Sequence, residues 1–322
     1  SEGCDHGCAF CAIPLWRGKH RSFGLESLVA EAGRLEAQGA VELNLVAQDL
    51  AHFGREWRDG TDIATLARRL LDETTIPWFR LLYIYSAGLR DPLIELMAAE
   101  SRLLPYIDMP IQHAADPVLE SMRRPERAGT LRKKIARLRD AIPDLTLRTT
   151  VLVGFPGETD DDFRALLDFL EEAEFDRLGA FAFSPQDGTR AAAMEDRFVP
   201  EGQARDRLEE LLEVQRAISA DRLAREVGRR KEVIVDREAE GRLQGRTSGQ
   251  ADDVDGVTYL STDRDWIPGT LLEAEILSAH DFDLEAEVVG EVRSAPTTDR
   301  EIATAARRLP LAPLGLDSGF GR

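Results

Sequence analysis

The three cysteines of this 322-residue chain all lie within eight positions, at Cys4, Cys8 and Cys11. Their Cys-x3-Cys-x2-Cys spacing puts three thiol groups on one short loop. A closed structural zinc site takes four protein ligands, and a fully protein-ligated iron–sulfur cubane takes four cysteines. Three cysteines therefore leave one iron of a cubane open. Because an open iron can bind and activate a small molecule, the loop predicts catalysis at a metal cluster.

Three other interpretations of the cysteine loop are weaker. A zinc site would need His6 or His20 as its fourth ligand, but His6 lies between two of the cysteines, where it is poorly placed as a ligand. A disulfide would leave one of the three thiols unpaired. Three unrelated buried cysteines are improbable, since the other 311 residues from position 12 to position 322 contain none.

The elements that must position this loop alternate along positions 25–184. Amphipathic helical segments such as Leu25–Gln38 are followed by short apolar runs such as Val41–Val46 and Leu145–Val153. Repeated strand–helix units predict a parallel sheet with helices outside, either doubly wound or barrel-shaped. In such barrels the chemistry lies on loops after the carboxyl ends of the strands, so the cysteine loop is expected to be one of several converging loops.

The second half of the chain has a different pattern. Glu201–Glu226 reads as one long charged helix, a connector rather than part of the repeat. About five short strand-like runs then follow, separated by turns rich in Gly and Asp, which predicts a small antiparallel barrel. We therefore expect a core domain over 1–225, a barrel domain over 226–292 and a possibly loose tail over 293–322.

Two groups of residues follow predicted strands and are expected at the same edge as the cysteine loop. Gln48 and Asp49 end one strand, and their alternative role is to cap the next segment. Gly154, Gly157 and Glu158 belong to a strand-to-helix turn whose glycines would let the backbone approach a ligand closely. A tight turn without a ligand explains the same glycines equally well.

Polar residues elsewhere are weaker candidates. Arg17 and Arg21 belong to a basic run just after the cysteines, so they are candidates for binding a carboxylate, although such a run is often only a solvated surface. Gln112 and His113 end the fourth apolar run and are candidate substrate contacts, with a capping role as the alternative.

Together these residues resemble the methylthiotransferase family of radical S-adenosylmethionine (SAM) enzymes over roughly positions 1 to 290. The sequence motifs are more similar to those of the branch that modifies a ribosomal protein than to those of the branch that modifies transfer RNA. The transfer-RNA enzymes usually have Gln-Ser-Gly where this chain has Gln112-His113-Ala114. The segments that carry the resemblance to the ribosomal branch are Cys11-Ala12-Ile13-Pro14, Arg17-Gly18-Lys19-His20-Arg21-Ser22, Leu45-Val46-Ala47-Gln48-Asp49 and Tyr106–Ala114. Phe23 and Ser86 depart from the usual family residues, a basic residue and a proline.

The resemblance implies a fold and a set of cofactors. The fold is an α/β open parallel partial TIM barrel, followed by a small antiparallel OB-like barrel called TRAM. The cofactors are a 4Fe–4S cluster held by three cysteines and SAM bound to the open iron. The residues implied to bind these cofactors are Cys4, Cys8 and Cys11 for the cluster, Phe10 against the adenine, and Gln48, Asp49, Gly154, Gly157 and Glu158 around SAM.

The resemblance also implies an activity. A deoxyadenosyl radical from SAM would abstract hydrogen from the β-carbon of an aspartate in the small-subunit ribosomal protein number twelve, to which a methylthio group is then added. A low-potential donor such as flavodoxin or ferredoxin would reduce the cluster. Family members carry a second cluster on three more cysteines in an N-terminal domain. This chain has no further cysteines, so we expect no second cluster in it, and it reads as part of a larger protein.

The charge of the chain bears on its partners. The formal net charge is −18, and positions 225–291 contain 17 acidic and 8 basic residues. General binding to nucleic acid is therefore not expected, because phosphates must be neutralised by Lys and Arg. An acidic surface would instead suit a basic ribosomal protein. No apolar run reaches the ~18–20 residues of a membrane helix, so we expect no membrane partner and a cytoplasmic location.

Three alternative functions stay open at the level of sequence. One is a transfer-RNA (adenosine) methylthiotransferase, which strong, salt-dependent RNA binding would favour. Another is a different radical enzyme with an unrelated substrate, which a methylthiolated product would exclude. The third is a non-catalytic piece that binds SAM and a ribosomal partner but cannot transfer sulfur.

Overall fold

The computed structural model describes residues 1–239 and 241–296. The predicted tail over 293–322 therefore lies outside the described residues from position 297 onward. The α-helices of the described part, apart from short 3-10 helices, are α1 (Ile13–Trp16), α2 (Leu25–Ala37), α3 (Ile63–Glu73), α4 (Asp91–Ala99), α5 (Asp116–Ser121), α6 (Ala128–Ala141), α7 (Asp160–Ala173) and α8 (Glu201–Ala224). The strands are β1 (Glu42–Leu45), β2 (Trp78–Leu81), β3 (Leu103–Asp108), β4 (Thr146–Val153), β5 (Arg177–Ala182), β6 (Arg230–Ala239), β7 (Arg242–Thr247), β8 (Thr258–Ser261), β9 (Leu271–Ala279) and β10 (Leu284–Arg293). None of these helices is long and apolar enough to cross a membrane.

Two helices of the first domain begin at short polar side chains that accept hydrogen bonds from free backbone N–H groups. The Asp62 side chain accepts a hydrogen bond from the Thr65 amide at 2.9 Å and so begins α3. Thr159 and Asp162 form a reciprocal capping box at the start of α7. Three acidic residues in the first turn of α7 also interact favourably with the positive end of the helix dipole. These local signals fix where α3 and α7 begin, whereas α2, α4 and α8 begin without a side-chain cap.

The first five strands form one parallel sheet in the order β1-β2-β3-β4-β5. Buried and partly buried residues alternate along β4, as expected when successive side chains point to opposite faces of a sheet. The buried residues Leu147, Val151 and Val153 lie in the apolar core. Strand order follows chain order, as expected for a barrel built from successive right-handed strand–helix units. The predicted open, parallel partial barrel is confirmed.

The connector helix α8 packs along the first domain. Leu211 is completely buried in the apolar core of that domain. Gln215 donates a hydrogen bond to the Phe175 carbonyl at 2.7 Å, and the Ser219 hydroxyl donates to the Asp176 carbonyl at 3.0 Å. The buried polar face of α8 thus satisfies carbonyl groups in the loop that leads into β5.

The last five strands close into a barrel in the order β10-β8-β7-β6-β9. The predicted small antiparallel barrel is confirmed, with one difference: β10 pairs with β8 in parallel. Neighbours around a closed ring can all be antiparallel only if the number of strands is even. A five-stranded barrel must therefore contain at least one parallel pair.

Buried charges join the two domains. Glu42 of β1 accepts hydrogen bonds from Arg80 of β2 at 2.9 Å and from Arg246 of β7 at 2.6 Å. The hydroxyl of Tyr106 in β3 donates to Asp255 of the barrel domain at 2.8 Å. Arg80 is also held by two carbonyl groups of the barrel domain. Because these charges are buried, their hydrogen bonds must all be made, and they fix how the domains meet.

Candidate active site at the cysteine loop

Backbone hydrogen bonds close the base of the cysteine loop. Glu2 and Arg21 exchange two hydrogen bonds of 2.9 and 2.8 Å in an antiparallel bridge. The Cys4 amide then donates to the Gly18 carbonyl at 3.2 Å. Gly3 has a φ of +75°, and a Cβ there would lie 2.2 Å from the Lys19 carbonyl oxygen. Only glycine fits this position, so the residue before the first cysteine lets the loop close.

The tip of the loop is anchored to the core of the first domain. The Ala9 amide donates to the Met122 carbonyl at 2.9 Å, and the Ala9 carbonyl accepts from the Ala191 amide at 2.8 Å. Phe10 packs against an apolar cluster that includes the completely buried Phe155. These contacts hold the backbone around Cys8 and Cys11. They also account for Phe10 by packing, so its contact with adenine stays a prediction.

The three cysteines are free thiols, partly exposed and close enough to interact electrostatically. Burial raises the pKa of Cys4 to about 11, with the neighbouring charges of Asp49, Cys8 and Cys11 adding to the rise and a hydrogen bond from the backbone of His6 opposing it. Burial also raises the pKa of Cys11. Three thiolates close together in this setting need a bound cation. A metal cluster supplies one, so the donor set fits a cluster held by three cysteines.

One arginine faces this loop and was missed from the sequence. Arg124 is buried, and its Nη1 lies 3.8 Å from the Cys8 sulfur. Its guanidinium stacks over the Tyr85 ring at 4.0 Å and donates to Glu126 at 3.2 Å. A fixed cation beside a ligand sulfur stabilises the thiolate and tunes a cluster. No local pattern marks Arg124, because it is 116 residues from Cys8.

Asp49 connects the loop to the end of β1. Its Oδ2 accepts a hydrogen bond from His6 Nε2 at 2.8 Å and lies 3.2 Å from His52 Nδ1. Its Oδ1 accepts from the Ala51 amide at 2.9 Å. Burial acts to raise the pKa of Asp49, but His6 and His52 together with the Ala51 amide outweigh it, and the pKa lies below its usual value. The donor atoms of His6, Asp49 and His52 lie within 4.8 Å of one another, so these residues could also hold a metal ion.

Two of the predicted residues line a common cavity at the open edge of the sheet. Arg17 and Gln48 border a space of about 710 Å³, together with Phe23 and Tyr83. Ser1 and Glu2, at the base of the cysteine loop, also border this cavity, whereas the three cysteines do not, and the space is large enough for a small organic ligand. Arg21 instead extends into solvent, with its side chain 73% exposed and 3.4 Å from Glu2. The structure therefore brings Arg17 and Gln48 together but not Arg21.

The glycine turn after β4 packs against other parts of the chain. A Cβ on Gly154 would lie 2.5 Å from the Ala204 Cβ, and one on Gly157 would lie 2.2 Å from the Arg197 guanidinium. The positive φ at both glycines and these close approaches explain the residue type. A role of this turn in binding SAM stays a prediction.

Glu158 is buried and has partners within the chain. Its Oε1 accepts from Arg207 at 3.0 Å, and its Oε2 accepts from the Phe155 amide at 3.1 Å. Burial raises the pKa of Glu158 to about 7, although Arg207 and the hydrogen bonds of the turn oppose the rise. The carboxyl group thus holds the turn against α8. Its contact with SAM stays a prediction.

Gln112 and His113 differ in environment. Gln112 has a φ of +70° and forms a parallel bridge to Val151 of β4. His113 is completely buried, its Nδ1 accepts from the Ala115 amide at 3.0 Å, and its Nε2 lies 3.7 Å from Glu158 Oε2. Burial lowers the pKa of His113 to about 3, so the ring is neutral. Substrate contact by either residue remains a prediction.

Two segments of the chain match known protein families. Residues 1–170, which include the cysteine loop and the first four strands, match the Radical SAM superfamily. The chain belongs to the radical SAM superfamily. Residues 227–289 match the TRAM domain, which corresponds to the five-stranded barrel. Membership of the radical SAM superfamily implies a 4Fe–4S cluster and SAM as cofactors.

Curated relatives give a more specific similarity. The chain is 43% identical over 290 residues to the ribosomal protein uS12 methylthiotransferase RimO of Pelobacter propionicus, covering 89% of this chain and 64% of that protein. It is 45% identical over 293 residues to RimO of Trichlorobacter lovleyi, covering 90% of this chain and 65% of that protein. This radical SAM chain thus spans about two-thirds of the length of these relatives. Among solved structures, Escherichia coli coproporphyrinogen III oxidase HemN aligns with a TM-score of 0.49 at 11% identity, over 85% of this chain and 65% of HemN.

Proposed function

We propose that this chain is the catalytic core of a radical SAM methylthiotransferase that adds a methylthio group to the β-carbon of an aspartate in ribosomal protein uS12. The observation that carries the proposal is the loop of three free cysteines, in a chain 43% identical to RimO over 290 residues. Three cysteines account for three irons of a cubane and leave the fourth for SAM. We expect no second cluster on the residues of this chain, since its three cysteines are all in the loop.

The residues of the loop have distinct tasks in this proposal. Cys4, Cys8 and Cys11 hold the cluster, which when bound supplies the electron that cleaves SAM to a deoxyadenosyl radical. Arg124 keeps a positive charge beside Cys8. Asp49 fixes the loop through His6, and by doing so sets the position of the cluster relative to the strand ends.

The neighbouring cavity is proposed to receive the reactants. Arg17 carries a positive charge at its edge and is suited to a carboxylate, of SAM or of the target aspartate. Gln48 offers an amide that can donate and accept hydrogen bonds. Apolar side chains such as Phe23 form most of the remaining wall, which also includes Glu31 and Asn44, and would exclude water from the reacting carbon.

The proposed partners follow from charge and redox chemistry. A basic ribosomal protein suits the acidic barrel domain, whose positions 225–291 contain 17 acidic and 8 basic residues. A low-potential donor such as flavodoxin or ferredoxin is proposed to reduce the cluster, in the cytoplasm. The same acidity disfavours the transfer-RNA alternative, because RNA phosphates would be repelled.

The test is anaerobic. The chain is reconstituted with iron and sulfide, reduced, and incubated with SAM and purified uS12, and both deoxyadenosine and the mass of uS12 are measured. We expect deoxyadenosine with the wild-type chain and none with Cys8→Ala. His280→Ala is the matched control, because His280 is an exposed residue of the barrel domain.

The two readouts separate the parts of the proposal. A methylthio mass increase on uS12 supports the full activity of this chain. Deoxyadenosine without product supports the radical site and indicates that sulfur transfer needs residues beyond this chain. Zinc binding with no cleavage of SAM would contradict the proposal and leave a structural metal loop.

A further inference from the structure

A second cavity lies between the two domains. It has a volume of about 330 Å³ and is bordered by the start of β4, the start of β5, the end of α8 and the segment Thr247–Gly249 of the barrel domain. In a parallel sheet all strand starts lie at one edge. This cavity is therefore at the edge opposite Gln48 and the cysteine loop, which belong with the strand ends.

The lining of this interdomain cavity is basic, in a chain whose net charge is −18. It contains six cationic side chains and three carboxylates. The cations are Arg139, Arg177, Arg222, Arg225, Arg229 and Lys231, and the carboxylates are Asp144, Asp176 and Glu226. Such a concentration of positive charge is unexpected on a protein this acidic.

Four of the six cations have carboxylate partners. Their closest ion pairs are Arg222 with Asp176 at 2.7 Å, Arg225 with Glu174 at 2.8 Å, Arg229 with Asp144, and Lys231 with Glu226 at 2.7 Å. These pairs neutralise the rim of the cavity and explain the carboxylates in its lining.

Arg139 and Arg177 have no such partner. Within the described residues, no carboxylate oxygen lies within 4 Å of either guanidinium. Each of the four other cations of the cavity has a carboxylate oxygen within that distance. Arg177 is only 6% exposed, and its guanidinium donates one hydrogen bond, of 3.3 Å, to the Phe282 carbonyl. Arg139 donates to the Glu174 carbonyl at 2.7 Å, but its buried Nε has no partner.

Burial without an adjacent anion is unfavourable for a guanidinium. Burial is the main cause that lowers the pKa of Arg139, and the charges of Arg222 and Arg225 lower it further, while Asp176 and Glu174 only partly offset them. A buried charge is normally paired or hydrogen-bonded on all its donors. Two arginines that border one cavity and lack carboxylates therefore leave room for an anion from solution.

We propose that this interdomain cavity binds a phosphate group, held between Arg139 and Arg177. A guanidinium presents its N–H groups in a planar fork that matches phosphate oxygens. The hydroxyl groups of Thr146, Thr247 and Ser248 also line the cavity and can donate to the remaining oxygens. The volume accommodates a free phosphate or a small phosphomonoester. A long polyanion would instead meet the acidic surface of the barrel domain.

Such an anion would connect the domains. Arg139 and Arg177 belong to the first domain, whereas Thr247 and Ser248 belong to the barrel. Binding to the folded chain alone stabilises it in proportion to ligand concentration. The proposal therefore predicts that phosphate raises the unfolding temperature, and it does not depend on methylthio transfer.

The test measures binding and unfolding on the full chain. Calorimetry and thermal unfolding are carried out with inorganic phosphate, with pyrophosphate and with AMP, at ionic strength held constant by chloride. We expect saturable binding by the wild type, weaker by roughly ten- to a hundredfold in Arg177→Gln and in Arg139→Gln, because each loses charge-assisted hydrogen bonds. Tighter binding of AMP than of phosphate would identify a phosphomonoester as the ligand, and the reverse would identify free phosphate.

Controls separate this site from a structural role. Arg225→Gln removes a cation from the same cavity that already has a carboxylate partner, so it should bind phosphate nearly as well as the wild type. In phosphate-free chloride buffer Arg177→Gln should be at least as stable as the wild type, because it removes an unpaired buried charge. Absence of saturable binding in the wild type would overturn the proposal, and so would binding by Arg177→Gln and Arg139→Gln as tight as that of the wild type.

Discussion

The carboxylate of Asp49 accepts a hydrogen bond of 2.8 Å from His6, which lies between Cys4 and Cys8. The same carboxylate caps the short helix Leu50–His52 through the Ala51 amide. One side chain therefore fixes both the cysteine loop and the segment that follows β1. The position of the loop depends on this residue as well as on its own sequence.

Replacing Asp49 by Asn tests this connection. The amide can still accept a hydrogen bond from Ala51, but it lacks the negative charge that attracts His6 and His52. We therefore expect the free energy that holds the loop in place to fall by about 1–3 kcal/mol. The measurement is the iron bound per chain after reconstitution and gel filtration, which should fall. Asp59→Asn is the matched control, because Asp59 accepts the same kind of local hydrogen bond, from Thr61 at 2.9 Å, on an exposed turn. Equal iron in both variants would rule out an anchoring role.

Arg124 is expected to tune the cluster. Replacing it by Gln removes a positive charge 3.8 Å from the Cys8 sulfur, which should make the oxidised cluster relatively more stable and lower its reduction potential. The potential is measured by redox titration followed by electron paramagnetic resonance. Arg124→Lys should restore part of the shift. Arg242→Gln removes an exposed charge of the barrel domain, paired with Glu285 at 2.9 Å, and should leave the potential nearly unchanged.

Glu158 and His113 should make the free energy of unfolding depend on pH in opposite directions. The pKa of Glu158 is raised from 4.5 to about 7, so its contribution is present below pH 4.5 and is lost as the pH rises through 7. The pKa of His113 is lowered from 6.5 to about 3, so its contribution is present above pH 6.5 and is lost as the pH falls through 3. Between pH 4.5 and 6.5 the two slopes oppose each other.

Single variants should reveal the two slopes. In the wild type, the titration of Glu158 should lower the free energy of unfolding by on the order of 3 kcal/mol as the pH rises. Glu158→Gln should abolish this decrease but keep the decrease that occurs as the pH falls. His113→Gln should do the reverse. The measurement is the free energy of unfolding in urea from pH 4 to pH 8. If both variants keep the wild-type pH dependence, the buried pair does not titrate as the structure indicates.

Gly154 is required by packing as well as by its backbone angle. Its φ is +72°, and a Cβ would lie 2.5 Å from the Ala204 Cβ in α8. Gly154→Ala is therefore expected to lower the free energy of unfolding by roughly 1–3 kcal/mol. Gly202→Ala is the control, since a Cβ there meets nothing within 4 Å and the residue lies in α8. It should be neutral or stabilise the chain by up to about 1 kcal/mol. Urea unfolding of both variants checks the difference.

The sequence by itself determined those features that depend on short spacing or on periodicity. Three cysteines within eight positions are enough to indicate an incomplete cubane. Alternating helices and apolar runs are enough to predict a parallel sheet, and closely spaced short strands are enough to predict the barrel. These features arise within one loop or between adjacent elements, so local chemistry and hydrophobic pattern decide them.

Only the tertiary structure decided which polar side chains meet. His6 and Asp49 are 43 residues apart, Glu158 and Arg207 are 49 apart, and Arg124 lies 116 residues from Cys8. Gln48 and Asp49 are adjacent in sequence, yet one lines the cavity and the other is buried against His6. The unpaired guanidinium groups of Arg139 and Arg177 are likewise visible only where two domains enclose them. Such pairings depend on the packing of distant segments, which places buried charges where no local pattern specifies them.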